Sequence, residues 1–253
     1  MKVSHSLLQL VWVVICLPMF ILCLPQAILV KRNTIRLPEA TGTRLRLSKD
    51  TSALHILHIG ESTVAGVGVE DINQGLTANI AKQLSKVQNT PVSWSAFGEN
   101  GIRLAGLNQL LPHTIRELTQ KSIPEPTFDL TIITMGVNDS TKFTSLKQWR
   151  ASIQDTIQSL KPHMQGPLFF TQVPPLAQFP ALPSPLKYVL GIRSTLLDYE
   201  LQKICTKTKN VHYIGSKLQV ATNMMAIDGY HPSELGYQHW AKQVANQIHE
   251  TLS

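Results

Sequence analysis

The sequence is poor in cysteine, and this limits the kinds of protein that it can encode. Only three of its 253 residues are cysteines, and Cys16 and Cys23 lie inside an apolar N-terminal stretch. Cys205 is alone in the rest of the chain, so no disulfide can form within the domain that contains it. A small scaffold held by disulfides is thereby excluded, and the cysteine content fits a reducing compartment.

Charged residues are also scarce, at 15% of the chain. The formal net charge is +7, but residues 31 to 50 hold six basic and two acidic side chains, and Lys2 adds one more positive charge. Residues 51 to 253 are left with a net charge of only +2. We expect no nucleic-acid partner, because such a domain lacks the clustered positive charge that phosphate contacts require.

The usual signatures of metal and nucleotide sites are missing as well. The "GVGV" stretch from Gly66 to Val69 is too short for a dinucleotide fingerprint, and no glycine-rich loop with a lysine could hold a phosphate. His55 and His58 are three residues apart in a predicted strand, so they point to opposite faces, and no carboxylate or cysteine cluster joins them. We therefore expect no metal site.

The longest run without formal charge extends from Val3 to Val30, and its apolar part runs from Leu7 to Val30. Its length is sufficient to cross a membrane, which takes about 20 helical residues, and membrane helices tolerate prolines such as Pro18 and Pro25. A cleaved signal peptide is the alternative, but the run is too long for a signal core and no small-x-small cleavage site follows it. We predict that residues 1–30 form an uncleaved, single-pass transmembrane helix.

Residues 31–50 are predicted to form a basic linker between this helix and a domain over residues 51–253. Lysine and arginine are retained on the cytoplasmic side of membranes, so the linker favours a cytoplasmic domain, with a periplasmic or other extracytoplasmic domain as the alternative. The basic side chains could lie against anionic lipid headgroups. The alternative is a solvated linker that only sets the topology.

Short apolar runs alternate with amphipathic stretches along the remaining residues. The runs that predict strands begin at Ala53, Pro91, Phe128, Gly166 and Val211. Five strands separated by helices predict a parallel sheet with helices on both faces. In such sheets ligands bind beyond the carboxyl ends of the strands, so the loops at these ends are where a site is expected.

The loops after the strands carry residues suited to acyl transfer. Ser62 follows the first strand and is a candidate nucleophile, which needs a histidine base held by a third group. Asp228 and His231 lie three residues apart just before the last helix, so one turn could bring the carboxylate to the imidazole. Asn138 follows the third strand, and Gly101 could allow close backbone approach, so both are candidates for stabilising an oxyanion.

Four short motifs in this chain resemble the conserved blocks of a known family. "GEST", "GENG", "GVND" and "DGYHP" occur in the order and at the spacing of the four blocks of the SGNH hydrolases, also called GDSL esterases and lipases. The resemblance covers Leu54 to Ile248. It implies a flavodoxin-like, three-layer α/β/α sandwich with a five-stranded parallel sheet, and no metal or organic cofactor.

The resemblance also implies a role for each candidate residue. Ser62 would be the nucleophile, His231 the general base and then the general acid, and Asp228 the group that orients His231. The oxyanion hole would consist of the Ser62 amide, the Gly101 amide and the side-chain amide of Asn138. The first block departs from the family name, because Glu61 stands where the family has aspartate.

Substrate preference is expected to depend on the proline-rich loop between Gln172 and Pro185. We predict that Phe179 and Leu182 form a wall of the acyl pocket. The stretch "GESTVAGVGV" looks like a membrane-tethered bacterial branch described as lysophospholipase-like. We therefore expect a serine esterase that hydrolyses lipid-like carboxylic esters through an acyl-enzyme on Ser62. The alternative is an O-acetylesterase or acyltransferase that acts on envelope glycans.

Overall fold

Strands and helices alternate through most of the chain. The computed structural model describes residues 5–50, 52–122, 128–215 and 220–253. The strands are β1 (Leu45–Arg46), β2 (Leu54–Gly60), β3 (Val92–Gly98), β4 (Leu130–Thr134), β5 (Leu168–Thr171) and β6 (Val211–Ile214). The helices are α1 (His5–Val11), α2 (Leu17–Asn33), α3 (Leu76–Gln88), α4 (Leu104–Ser122), α5 (Val137–Thr141), α6 (Leu146–Leu160), α7 (Leu186–Lys207) and α8 (Glu234–Leu252).

The strands form one six-stranded mixed sheet in the order β1-β3-β2-β4-β5-β6. The five predicted strands, β2 to β6, are present and pair in parallel. The prediction of a purely parallel, five-stranded sheet is wrong at one edge, where β1 pairs antiparallel with β3. A strand of two residues is too short to show the alternation by which strands are recognised.

Helices cover both faces of the sheet and make a three-layer α/β/α fold. On one face α3 and α8 pack against Ile56, Trp94, Ile132 and Phe169. On the other face α4, α6 and α7 pack against the alternate strand residues, which include Leu57, Ile59, Ile133 and Phe170. Strands buried on both faces explain why these segments are almost continuously apolar.

The N-terminal apolar segment does not form the single transmembrane helix that its composition predicts. A π-helical turn, Trp12–Cys16, separates α1 from α2. Within the described residues, no helix alone is long and apolar enough to cross a membrane. The two segments Ser6–Cys16 and Pro18–Asn33 are long and apolar enough only when taken together, and their axes are bent by 65° relative to each other. Pro18, in the first turn of α2, accounts for the break because it lacks an N–H and its ring clashes with the preceding turn.

The predicted boundary between linker and domain at residue 50 does not coincide with a structural boundary. Helix α2 extends to Asn33, inside the predicted linker. Beyond it, Thr41 bridges to Asp71, and β1 joins the sheet. Residues 40 to 46 are therefore packed on the domain rather than forming a free connection to it.

Candidate active site

Ser62 lies in a tight turn that leaves the carboxyl end of β2. The turn is closed by hydrogen bonds from the amides of Val64 and Ala65 to the Glu61 carbonyl, at 2.9 and 3.1 Å. The strand before it must end in glycine, because a Cβ on Gly60 would lie 2.4 Å from the Thr134 carbonyl oxygen. This close contact with β4 holds the Ser62 backbone against the sheet edge.

Ser62, His231 and Asp228 form a continuous hydrogen-bonded chain across 169 residues of sequence. The Ser62 Oγ lies 2.9 Å from His231 Nε2, and His231 Nδ1 lies 2.6 Å from Asp228 Oδ2. Because Asp228 accepts a hydrogen bond from the Nδ1–H group, Nε2 has no proton of its own and can accept a hydrogen bond from the Ser62 hydroxyl. This is the arrangement in which a histidine activates a serine for attack on a carbonyl carbon.

Asp228 is held in place by the loop that carries it. Its second oxygen, Oδ1, accepts hydrogen bonds from the amides of Tyr230 and His231 at 2.9 and 3.0 Å. Burial raises the pKa of Asp228, but the hydrogen bonds from the His231 ring and from these amides outweigh burial and leave this pKa below its ordinary value. The carboxylate is therefore ionised at neutral pH, as a group that orients an imidazole must be.

The two glycines of the second motif have different surroundings. Gly98 ends β3 under the Ser62 turn, where a Cβ would lie 2.3 Å from the Ala65 nitrogen. Gly101 has a φ of +82°, and no atom lies within 4 Å of the position of its missing Cβ. Gly98 is thus a packing residue, and Gly101 leaves open space beside its backbone.

Asn138 lies in the first turn of α5, directly after Gly136, whose φ is +126°. Its side-chain amide donates a hydrogen bond to Glu61 Oε2 at 2.6 Å. A primary amide has two N–H groups, so one remains available to another acceptor. The hydrogen bond to Glu61 fixes the orientation of this amide.

Glu61 connects the Ser62 turn to the start of α5. Its carboxylate accepts hydrogen bonds from the amides of Val137 and Asn138, at 2.9 and 3.0 Å, in addition to the Asn138 side chain. Burial raises the pKa of Glu61 to about 7, although these hydrogen bonds oppose the shift. The longer acid in place of the family's aspartate therefore supports Asn138.

Two residues of the predicted linker hold the loop after β3, and sequence reasoning missed both. Arg44 donates to the Gly98 carbonyl at 2.6 Å and pairs with Glu39 at 2.6 Å. Glu39 in turn accepts from the amide of Asn100 at 2.7 Å. These contacts join segments more than 50 residues apart, and no local pattern in the sequence signals them.

Two spaces open beside the triad, and the two predicted pocket residues lie in different ones. Phe179 lines a cavity of about 50 Å³ that includes Ser62 and His231. Leu182 lines a groove of about 560 Å³ that also reaches His231. Tyr230 borders both spaces, and its ring contacts Phe179 edge to face with 5.3 Å between centroids.

The two histidines of β2 are engaged in hydrogen bonds with hydroxyl groups. His58 is fully buried between the hydroxyls of Thr77 and Thr134, each 2.9 Å from a ring nitrogen, and burial lowers its pKa to about 3. His55 contacts the Ser95 hydroxyl at 3.1 Å. Across the described ranges, no group of three or more His, Cys, Asp or Glu side chains could hold a metal ion.

The hydrogen-bonded chain of Ser62, His231 and Asp228 has the geometry of a serine hydrolase site, and comparison with known proteins gives the family of the chain. The model of the GDSL-like lipase/acylhydrolase family matches residues 58–239, more than half of the chain. The chain therefore belongs to this family, and it is a carboxylic ester hydrolase. A comparison with curated protein sequences finds no match.

Solved structures with the same fold have low sequence identity to this chain. They include a lipase from a goat rumen metagenome, with 14% identity, a TM-score of 0.59 and coverage of 77% of this chain and 97% of that one. A lipase/acylhydrolase from Enterococcus faecalis has 18% identity, a TM-score of 0.58 and coverage of 78% and 96%. A family 3 carbohydrate esterase from Clostridium thermocellum has 17% identity, a TM-score of 0.57 and coverage of 79% and 98%. At these identities the likeness establishes the fold alone.

Proposed function

We propose that the protein hydrolyses lipid-like carboxylic esters through an acyl-enzyme on Ser62. The Ser62 Oγ attacks the ester carbonyl while its proton passes to His231 Nε2. The alcohol leaves with this proton, and His231 then takes a proton from the water that releases the acid. Asp228 holds the imidazole and stabilises its charged form.

The same proposal assigns the oxyanion hole to the amides of Ser62 and Gly101 and to the side-chain amide of Asn138. The open space beside Gly101 and the fixed orientation of the Asn138 amide support this assignment. Removal of one such donor lowers kcat by about 10²- to 10³-fold in serine hydrolases. We expect an effect in that range for Asn138→Ala.

The observation that carries the proposal is the distance of 2.9 Å between Ser62 Oγ and His231 Nε2, together with the distance of 2.6 Å between His231 Nδ1 and Asp228 Oδ2. Its test is covalent labelling with a fluorophosphonate, which reacts with activated serines. The wild-type protein should be labelled, and Ser62→Ala should not. Ser140→Ala, which removes a buried hydroxyl of α5, is the matched control and should be labelled like the wild type. Labelling that survives Ser62→Ala would place the reactive serine elsewhere.

A second candidate is the removal or transfer of acetyl groups on envelope glycans. The cavity beside Ser62 is only about 50 Å³ in volume, which suits an acetyl group, and the solved structures of this fold include carbohydrate esterases. Rates on a series of esters from acetyl to palmitoyl, compared with rates on acetylated sugars, separate the two candidates. Preference for acetylated sugars over all lipid esters would favour the second.

We also propose that the N-terminal helices attach the protein to a membrane, with the catalytic domain on the cytoplasmic side. Leu22, Ile28 and Leu29 of α2 are 80%, 52% and 58% exposed, which is unusual for large apolar side chains. Lys31 and Arg32 follow directly and favour cytoplasmic retention of this end. In sealed, right-side-out vesicles a cytoplasmic domain should be protected from added protease. Digestion of the domain by protease added outside would contradict the cytoplasmic orientation.

A further inference from the structure

One wall of the groove beside the triad is made by the N-terminal helix α2. The groove has a volume of about 560 Å³ and is lined on the domain side by Leu182, Leu186 and Leu190, with Asp228 and His231 at its margin. Phe20, Ala27, Val30 and Lys31 of α2 line the opposite side. Without α2 this space would be an open, apolar surface of the domain.

Helix α2 is attached to the domain by specific contacts. Cys23 and Cys16, the residue just before α2, are 1% and 3% exposed, in an apolar cluster shared with α7 and the proline-rich loop. Phe20 packs on Phe143 with 4.2 Å between ring centroids. Gln26 Nε2 donates to the Ser184 carbonyl at 3.0 Å. The helix is thus packed against the domain and borders the site.

The groove combines this apolar lining with an excess of positive charge. Lys31, Arg36 and Lys142 line it, and Asp228, already engaged by His231, is its acidic residue. Among the residues that the structure describes, neither Lys31 nor Arg36 forms an ion pair with a carboxylate. An anionic group of a ligand would therefore find two cations that no carboxylate in the described part of the chain pairs with.

From this combination we infer that α2 is a substrate-binding element, and that the groove binds an ester with one long hydrocarbon chain and an anionic group. A lysophospholipid that carries an unsubstituted phosphate has this chemistry. The inference rests on the proposed esterase function and adds which part of the chain selects the substrate. The N-terminal segment then serves both membrane attachment and specificity.

The apolar part is tested by filling the groove in the full-length protein in detergent. Val30→Trp places a large side chain on the groove side of α2, and Leu29→Trp places the same side chain on the outer face, where Leu29 is 58% exposed. The measured quantity is kcat/KM for a palmitoyl ester divided by that for an acetyl ester. We expect this ratio to fall about tenfold or more in Val30→Trp and to stay at the wild-type value in Leu29→Trp. Equal ratios in the two variants would overturn the inference.

The charged part is tested with two substrates that differ only in a phosphate. The ratio of kcat/KM for 1-palmitoyl lysophosphatidic acid to that for 1-monopalmitoylglycerol should fall about fivefold in Lys31→Gln. Arg32→Gln removes the neighbouring charge, which does not line the groove, and should leave the ratio unchanged. If both variants change the ratio equally, the effect is one of general charge, and the selection by the groove is refuted.

These outcomes are distinguishable from failure of the proposed function itself. A wild-type protein that hydrolyses none of the four esters would contradict the esterase proposal. A wild-type protein that hydrolyses the acetyl ester, with ratios insensitive to Val30→Trp and Lys31→Gln, would retain the esterase proposal and refute the role of α2. Because Lys31→Gln changes a surface residue, it keeps the test valid even if Val30→Trp disturbs packing.

Discussion

At the scale of single residues, Glu61 has the most unusual environment near the triad. It is 2% exposed, and three N–H groups point at its carboxylate. Burial opposes ionisation and these hydrogen bonds favour it, with burial having the larger effect on its pKa. Glu61 therefore changes protonation near neutral pH, where an exposed glutamate would stay ionised.

The raised pKa of Glu61 predicts a pH dependence of stability. Between pH 4.5, its ordinary pKa, and about 7, its pKa in the folded protein, the folded state binds more protons than the unfolded state. Stability is therefore fully present below pH 4.5 and decreases as the pH rises to about 7, by roughly 3 kcal/mol for this group. Glu61→Gln should remove this part of the decrease.

Denaturant unfolding at pH 5 and pH 8 measures the effect. The wild type should lose more stability than Glu61→Gln between these two pH values. Glu99→Gln, which replaces an exposed carboxylate in a neighbouring loop, should behave like the wild type. Identical pH dependence in Glu61→Gln and the wild type would contradict a raised pKa at this residue.

At the scale of elements, the segment between α2 and β2 has a structural role that its charge conceals. Arg44 and Glu39 hold the backbone of Gly98 and Asn100, which leads to Gly101. The sequence predicts a linker because the segment is basic and contains breakers. The structure shows that part of the segment pairs with the sheet.

We predict that Arg44→Ala lowers kcat for any ester about three- to tenfold and destabilises the fold by about 1–2 kcal/mol, because it removes a charge-assisted hydrogen bond to the Gly98 carbonyl. Arg46→Ala removes an exposed arginine of β1, two residues further along the chain, and is the matched control. Steady-state kinetics and thermal unfolding check both effects. If the two variants have the same kcat, Arg44 does not position this loop.

The proline-rich loop places its two large apolar residues in different spaces, so their substitutions should have different effects. Phe179→Ala should enlarge the small cavity beside Ser62 and raise kcat/KM for butyryl relative to acetyl esters severalfold. Leu182→Ala should instead change the relative rates on long-chain esters, such as lauroyl and palmitoyl esters, because Leu182 lines the larger groove. A hydrolysis profile over chain lengths separates these effects, and identical profiles for both variants would contradict two separate spaces.

At the scale of the whole molecule, the N-terminal helices have one face on the domain and one face exposed. Leu22 and Leu29 lie on the exposed face. We predict that the double variant Leu22→Ser, Leu29→Ser lowers binding to lipid vesicles by about tenfold or more, because each change removes apolar area that would otherwise be buried in the bilayer. Co-sedimentation with vesicles of defined composition measures this binding.

Leu235→Ser provides the control for vesicle binding. Leu235 is a leucine of α8 that is 47% exposed, and its replacement should leave vesicle binding unchanged. A double variant of α2 that binds vesicles as well as the wild type does would refute attachment through these helices.

The alternation of apolar and amphipathic runs determined the five parallel strands and the loops in which the active-site candidates lie. These are local properties, because side-chain periodicity depends only on neighbouring residues. The tertiary structure decided the features that rest on distant contacts: the antiparallel strand β1, the support of Asn138 by Glu61, and the groove between α2 and the domain. Each of them depends on which segments meet in space, and a pattern within one segment carries no information about its partner.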